Sequence, residues 1–241
     1  QEQMKAEAEK ERMRGNLLRA VSHDLRTPLT SIYGACSAML ENYDALPRQT
    51  HIKLLSDVCA DAQWLVRMVE NLLSVTRVDT STVRLSKNDT VLEELIDAVL
   101  VKFRKHYPDT EVHVEIPDEF VSIPMDAMLI SQVLMNLLEN AVFHAKGMKN
   151  LWLRVEVKGL WAYFYVEDDG CGIPEEKRSK LFTGMLGSEM PTDQSRSSMG
   201  IGLSVCSAII KAHGGEIWAN KRDGSGTEVG FRLKMEDENG E

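Results

Sequence analysis

The chain has 241 residues, room for one large domain or two modest ones. Its 43% hydrophobic content supports a packed core and argues against wholesale disorder, while 37 acidic against 28 basic residues leave a net charge of −9, the wrong sign for a protein that grips nucleic acid by its phosphates. The cysteines at 36, 59, 171 and 206 include no Cys-x-x-Cys pair, so neither a disulfide frame nor a zinc site is indicated, and no run of about 18 apolar residues offers a membrane span.

The first 80 residues read as helical. Residues 1–15 are charged and nearly without an apolar stripe, and they open in QEQMKAEAEKERMR without a starting Met, which reads as a piece cut from something longer. Leu18, Val21, Leu25, Leu29, Ile32, Cys36 and Met39 then recur at spacings of three and four. A turn is expected around Asn42 to Pro47. Beyond it, Ile52, Leu55, Cys59, Ala62, Val66, Val69 and Leu73 alternate spacings of three and four without a break, a coiled-coil seam about three heptads long. Two long helices with a short turn make an antiparallel hairpin. One hairpin cannot cover both stripes, so two copies are expected to pair into a dimeric four-helix bundle. On pattern alone, a structural dimeriser without chemistry fits equally well.

Within the first helix, SHDLRTPLT carries the polar chemistry. His23 lies two residues from both Val21 and Leu25, about 200° round the helix from each, so it points away from the seam. Pro28 lacks an N–H and crowds the carbonyl of Asp24, loosening the turn beside His23. A largely neutral imidazole can act as a nucleophile, and Asp24 can accept from one ring nitrogen and leave the other free. A lone helical histidine is more often just a solvated surface residue.

The second half changes period. Val83 to Lys87 reads as a short strand, and Asp89 as the cap of a helix reaching about His106. EVHVEI alternates as a strand, and Met125 to Ala145 is a long helix. LWLRVEVKG and LWAYFYVED are strands joined by a tight turn at Lys158-Gly159. Ile201 to Ala212 is a helix, and GEIWANK and TEVGFRLKM close as a hairpin. Strands and helices mix without strict alternation, so the fold class is α+β with helices on one sheet face. The polar stretch DTSTVRLSKND marks the boundary, giving domains over residues 1–80 and 89–241 with a linker over 81–88.

Three segments hold polar residues that an ordinary core would not need. Asn136, Asn140 and His144 recur every four residues on one face of an apolar helix; an Asn amide oxygen can ligate Mg²⁺, and hydrogen-bonded helix contacts are the plain alternative. VEDDGCGIP ends a strand in acids followed by Gly170 and Gly172, where backbone can approach a flat ligand and a carboxylate can accept from an exocyclic amino group. In SSMGIGLSVC, Gly200 and Gly202 precede a helix whose free N–H groups can hold phosphates. Each is weak alone; the order and spacing of all three are much stronger.

SHDLRTPLTSI closely resembles the H-box of sensor histidine kinases, and the three later segments resemble the N, G1 and G2 boxes of that family's ATP-binding domain, a fold shared with gyrase-type ATPases. The resemblance runs from about residue 16 to 234, and PMDAMLISQVLMNLLENA looks most like the potassium-sensing KdpD-type kinases. It implies a helical dimerisation and phosphoacceptor hairpin followed by an α/β-sandwich ATP-binding domain. By resemblance, His23 is the phosphoacceptor, Asp24 assists, and Thr27 serves hydrolysis of the partner's phospho-aspartate. Asn140 would hold Mg²⁺ and Asp168 the adenine of ATP; Asn136 and His144 would lie near the phosphates, with Gly170, Gly172, Gly200 and Gly202 lining the pocket. Residues 182–199 would form a lid. The implied partners are a second copy through residues 1–80 and the receiver domain of a response regulator, and the implied setting is the cytoplasmic part of an inner-membrane sensor reached through a preceding region.

Related hydrolases of the gyrase type carry a Glu where Asn136 stands; an amide cannot act as that general base, which suits transfer to a side chain. Three departures bear on the nucleotide. Phe143 stands where a basic residue is usual, Met185 or Leu186 replaces the second aromatic after Phe182, and Ser198 replaces the first glycine of the G2 box. These leave two rivals open: a signalling module that binds nucleotide weakly without transferring phosphate, and a stand-alone ATPase.

Overall fold

The computed structural model describes residues 25–79, 85–178, 181–182 and 199–236. The chain divides into two compact units, Gln1–Leu73 and Ser74–Glu241.

Helix α1 runs over residues 25–41 of the first unit, a turn over 42–47 follows, and α2 spans Arg48–Asp79, its residues from Ser74 on being counted with the second unit. The turn is closed by the N–H groups of Ala45 and Leu46 donating to the Asn42 carbonyl at 3.0 Å. Pro28 is buried within α1, while Thr27 beside it is exposed. The side of α2 that gains cover is Leu54, Val58, Asp61 and Leu65. The heptad seam lies on another side. Ile52 is 50%, Leu55 53% and Val66 60% exposed, and Leu29 and Tyr33 of α1 are open as well.

The second unit is built around a five-stranded sheet in the order β2-β4-β5-β7-β6, from β2 (Val112–Glu115), β4 (Leu151–Lys158), β5 (Trp161–Asp168), β6 (Glu216–Lys221) and β7 (Thr227–Lys234). Strand β2 runs parallel to β4; the other pairings are antiparallel. Alternate residues Leu151, Leu153, Val155, Ala162, Phe164 and Val166 are buried, and helices α3 (Leu92–His106), α4 (Ala127–His144) and α6 (Met199–Ala212) supply the rest of the core. A one-turn helix α5 covers Glu175–Arg178. The opposite sheet face is polar and aromatic, with Arg154 over the Tyr165 ring at 4.2 Å and Arg222 over Trp152 at 4.1 Å.

Several boundaries differ from the sequence reading. Of the strand expected over Val83 to Lys87, residues 83 and 84 lie outside the described residues and 85–87 are irregular; the strand found here is β1, Asn88–Val91. Asp89 therefore caps nothing. It is drawn into a two-stranded antiparallel sheet opposite Pro124 of β3 (Ser122–Met125), and α3 starts with the Leu92 N–H donating to the Val121 carbonyl at 3.0 Å. Met125 belongs to β3 rather than to the long helix. That helix starts after Asp126, whose carboxylate accepts from the Leu129 N–H at 3.2 Å.

Candidate functional site

Helix α4 sets one side of the site. Its apolar residues Ile130, Val133, Leu134 and Leu138 are fully buried. Asn136, Asn140 and His144 follow one another at one-turn spacing, near the helix's C-terminal half. Asn136 is only 7% exposed. The Nδ2 of Asn140 is buried and finds no hydrogen-bond partner among the described residues, and that of Asn136 has at most the weak Cys206 thiol beside it. A buried amide donor left unpaired costs about 1–3 kcal/mol, so this helix face offers polar groups that a ligand can engage. Burial lowers the His144 pKa, which keeps its ring neutral at pH 7.

Helix α6 lies antiparallel to α4. The Cys206 thiol approaches the Val133 carbonyl at 3.9 Å, and at the far end the Asp126 N–H donates to His213 Nε2 at 3.1 Å while His213 Nδ1 bonds the Ile209 carbonyl at 2.8 Å. Burial pushes Cys206 up to about 12, opposed by the Asn136 side chain beside it. Gly200 and Gly202 do not precede the helix as expected; they fall within its first turn, where the N–H of Gly200 is among those left without an intrahelical acceptor.

The third wall is the end of β5. Asp168 is 6% exposed and pairs across the sheet with Thr227 of β7. Its Oδ1 accepts from the Gly170 N–H at 2.9 Å. Burial raises its pKa, against the opposing pull of the Gly170 and Thr227 N–H groups. The loop that follows is pressed against α4: a Cβ at Gly170 would stand 2.6 Å from that of Ala145, and the Cys171 thiol lies 3.6 Å from the His144 carbonyl. Gly172 has φ +73°, and a side chain on Gly226, at φ +104°, would overlap the Asp168 carbonyl. Asp169 faces the other way. It accepts from the N–H groups of Lys149 (2.7 Å) and Asn150 (2.9 Å) and from Asn150 Nδ2 (2.7 Å), which pulls it down to about 2.

The Asp168–Gly172 loop thus meets the C-terminal end of the helix that carries Asn136, Asn140 and His144, while α6 packs along the same helix from Cys206 to His213. Thr27 lies in the first unit. His23, Asp24, Ser198, Met185, Leu186 and most of the expected lid fall outside the described residues. Phe143 is 46% exposed, with its ring 5.9 Å from that of Tyr107 in an edge-on arrangement. Thr227, Gly226, Asp169 and Asn150 were not singled out from sequence; the Gly-Ser-Gly-Thr run at 224–227 was the available signal for the first two.

Two family models match the chain: the His Kinase A (phospho-acceptor) domain over residues 13–81, and the histidine kinase-, DNA gyrase B- and HSP90-like ATPase over residues 125–237. The chain belongs to the sensor histidine kinases. Among its relatives are two sensor proteins KdpD, from Clostridium acetobutylicum (35% identical over 98% of this chain) and from Escherichia coli strain K12 (31% over 94%). This histidine kinase chain spans about a quarter of those proteins, 26% and 25% of their lengths. In fold it is similar to the histidine kinase ThkA in its complex with the response regulator protein TrrA, with a TM-score of 0.73, 24% identity, and coverage of 98% of this chain and 66% of that one. No helix among the described residues of the kinase chain is long and apolar enough to cross a membrane.

Proposed function

We propose that this chain is the catalytic region of a sensor kinase that binds ATP with Mg²⁺, phosphorylates itself on His23 and passes the phosphoryl group to an aspartate in the receiver domain of a response regulator. The observation that most supports the reading is the buried, unpartnered amide of Asn140, one turn from Asn136 and beside a loop whose glycines let the backbone close around Asp168. Among the described residues no three His, Cys, Asp or Glu side chains converge, so a cation here would take the Asn140 amide oxygen together with phosphate oxygens, as suits Mg²⁺. When bound, the ion would neutralise charge on the transferring phosphoryl group.

The chain's own residues supply the rest. Asp168 accepts from the adenine amino group, and the free N–H groups of the first turn of α6 around Gly200 donate to phosphate oxygens. Asn136 and the neutral His144 offer hydrogen bonds along the phosphates. Asn136 cannot take a proton from water, which favours transfer over hydrolysis. A His23 ring nitrogen forms the bond to the γ-phosphorus as the bond to ADP breaks, and Asp24 holds the proton on the other nitrogen. Thr27, exposed on α1, serves the reverse traffic by placing water at the regulator's phospho-aspartate.

The dimer forms through residues 1–80, supported by the open seam of Ile52, Leu55 and Val66; residues 81–88 link it to the catalytic domain at 89–241. We place the chain in the cytoplasm, as part of a longer membrane sensor, because it spans only a quarter of its sensor-protein relatives. A second reading, a module that binds nucleotide without transfer, is favoured by one feature: Phe143 sets an aromatic ring where the family's usual cation would meet phosphate.

Incubation with γ-labelled ATP separates the readings. Acid-labile label held on the protein is the expected outcome. Steady release of free phosphate would make the chain a hydrolase, and neither product would make it a binding module.

A further inference from the structure

We propose that the Asp169–Asn150 pair is a positioning clamp that sets nucleotide affinity by fixing the loop carrying Asp168 to the segment leaving α4. This rests on the reading of the pocket above and adds residues that do not themselves face the nucleotide.

The geometry is specific. Asp169 Oδ1 receives two backbone N–H groups, those of Lys149 and Asn150, while Oδ2 receives the Asn150 amide at 2.7 Å. The same residue's carbonyl, with that of Gly170, accepts the Ser225 hydroxyl at 3.4 and 2.8 Å. Three segments distant in sequence therefore meet at one residue: the loop after α4, the loop after β5 and the hairpin between β6 and β7. Asp168 is the preceding residue, and its carboxylate is aimed by the Gly170 N–H of the same loop. Gly170 packs on Ala145, the first residue beyond α4, so a slip of the 145–150 segment would move both Asp168 and the end of the helix that carries Asn140. The carboxylate stays ionised through the neutral range, being held near 2, so the clamp is charge-assisted at every pH at which the protein works.

The hydrogen-bond pattern dictates what substitutions do. Asp169→Asn keeps an oxygen for the two backbone donors, and the Asn150 amide can turn over to accept from the new NH₂ group; only the charge assistance is lost. Asn150→Asp instead sets two carboxylates against each other, and no rotation relieves them. Combining Asn150→Asp with Asp169→Asn restores a complementary pair with the roles exchanged.

The test is equilibrium binding of ADP and of Mg·ATP by calorimetry on the full chain, with Asp168→Asn as control, alongside the steady-state KM and kcat of autophosphorylation. Asn150→Asp should weaken both nucleotides by roughly tenfold, the loss of about one charge-assisted hydrogen bond. Asp169→Asn should cost less, and the double variant should recover to within a few-fold of the parent. The effect should lie in KM, with kcat little altered, and thermal unfolding of the double variant should match the parent. Unaltered binding in Asn150→Asp, or failure of Asp169→Asn to rescue it, overturns the clamp while a weakened Asp168→Asn leaves the pocket reading standing. Parental affinity in Asp168→Asn overturns the pocket reading and the clamp with it.

Discussion

The two units treat their apolar residues in opposite ways. In the second, Phe164, Ile130, Leu134 and Phe231 are wholly buried by a sheet and three helices of the same chain. In the first, the most regular apolar pattern of the sequence stays open, with Leu55 at 53% and Val66 at 60% exposure. The catalytic unit completes its core from its own residues. The hairpin leaves open the face of α2 that carries Ile52, Leu55 and Val66. The difference fits a division of labour in which one unit must hold a small ligand alone and the other must bring two copies together.

The strongest way to break this contrast is to damage each unit at its best apolar residue. Phe164→Ala should cost residues 89–241 about 3–5 kcal/mol of stability, seen as a lowered melting temperature with monomer behaviour retained. Leu55→Glu should leave that melting transition in place and weaken the dimer by about a hundredfold in ultracentrifugation, since it puts a charge where apolar area is buried. If Leu55→Glu leaves the dimer intact, the open seam is not the interface.

Within the catalytic unit, Asn140→Asp and Asp168→Asn should each weaken Mg·ATP binding by roughly tenfold to a hundredfold, matching the loss of a hydrogen bond to a charged group. The dimer should be unaffected. On the hairpin side, Thr27→Ala should slow loss of phosphate from the regulator several-fold and spare autophosphorylation, an estimate based on one lost hydroxyl contact of about 1 kcal/mol. An equal fall in both activities would mean the helix itself was damaged.

The smallest effect concerns acid. Asp169 sits near 2, below its ordinary 3.8, so the stability it contributes is present above the ordinary value and lost as pH falls through about 2. Asp169→Ala should therefore melt below the parent at pH 5, and the gap should close as both approach pH 2. A gap that does not change with pH would assign the contribution to packing instead of charge.

Period and turn chemistry made much of the fold legible. The alternation in LWLRVEVK and WAYFYVED and the Lys158-Gly159 turn gave β4 and β5 with their hairpin, and the spacing of three and four gave both hairpin helices. The β1–β3 pair was not legible, because Pro124 argues against a strand and the pairing joins segments more than 30 residues apart. The sequence reads Asp89 as a helix cap, but strand pairing takes it, whereas Asp126, expected inside the long helix, is the residue that caps its start. Among the candidate residues, Asn136 and Asn140 stood out as polar residues on an apolar helix and Asp168 as an acid before two glycines. Thr227 and Asn150 did not, since a threonine in a strand and an asparagine in a loop look ordinary until the sheet and the turn bring them to Asp168 and Asp169.

The most direct measurement is the fate of the γ-phosphate of labelled ATP in the parent chain and in His23→Gln, with ATP binding followed in both. The expected result is acid-labile label on the parent alone, with equal nucleotide affinity in the two proteins. Acid-labile label persisting in His23→Gln would contradict the assignment of His23 as the acceptor.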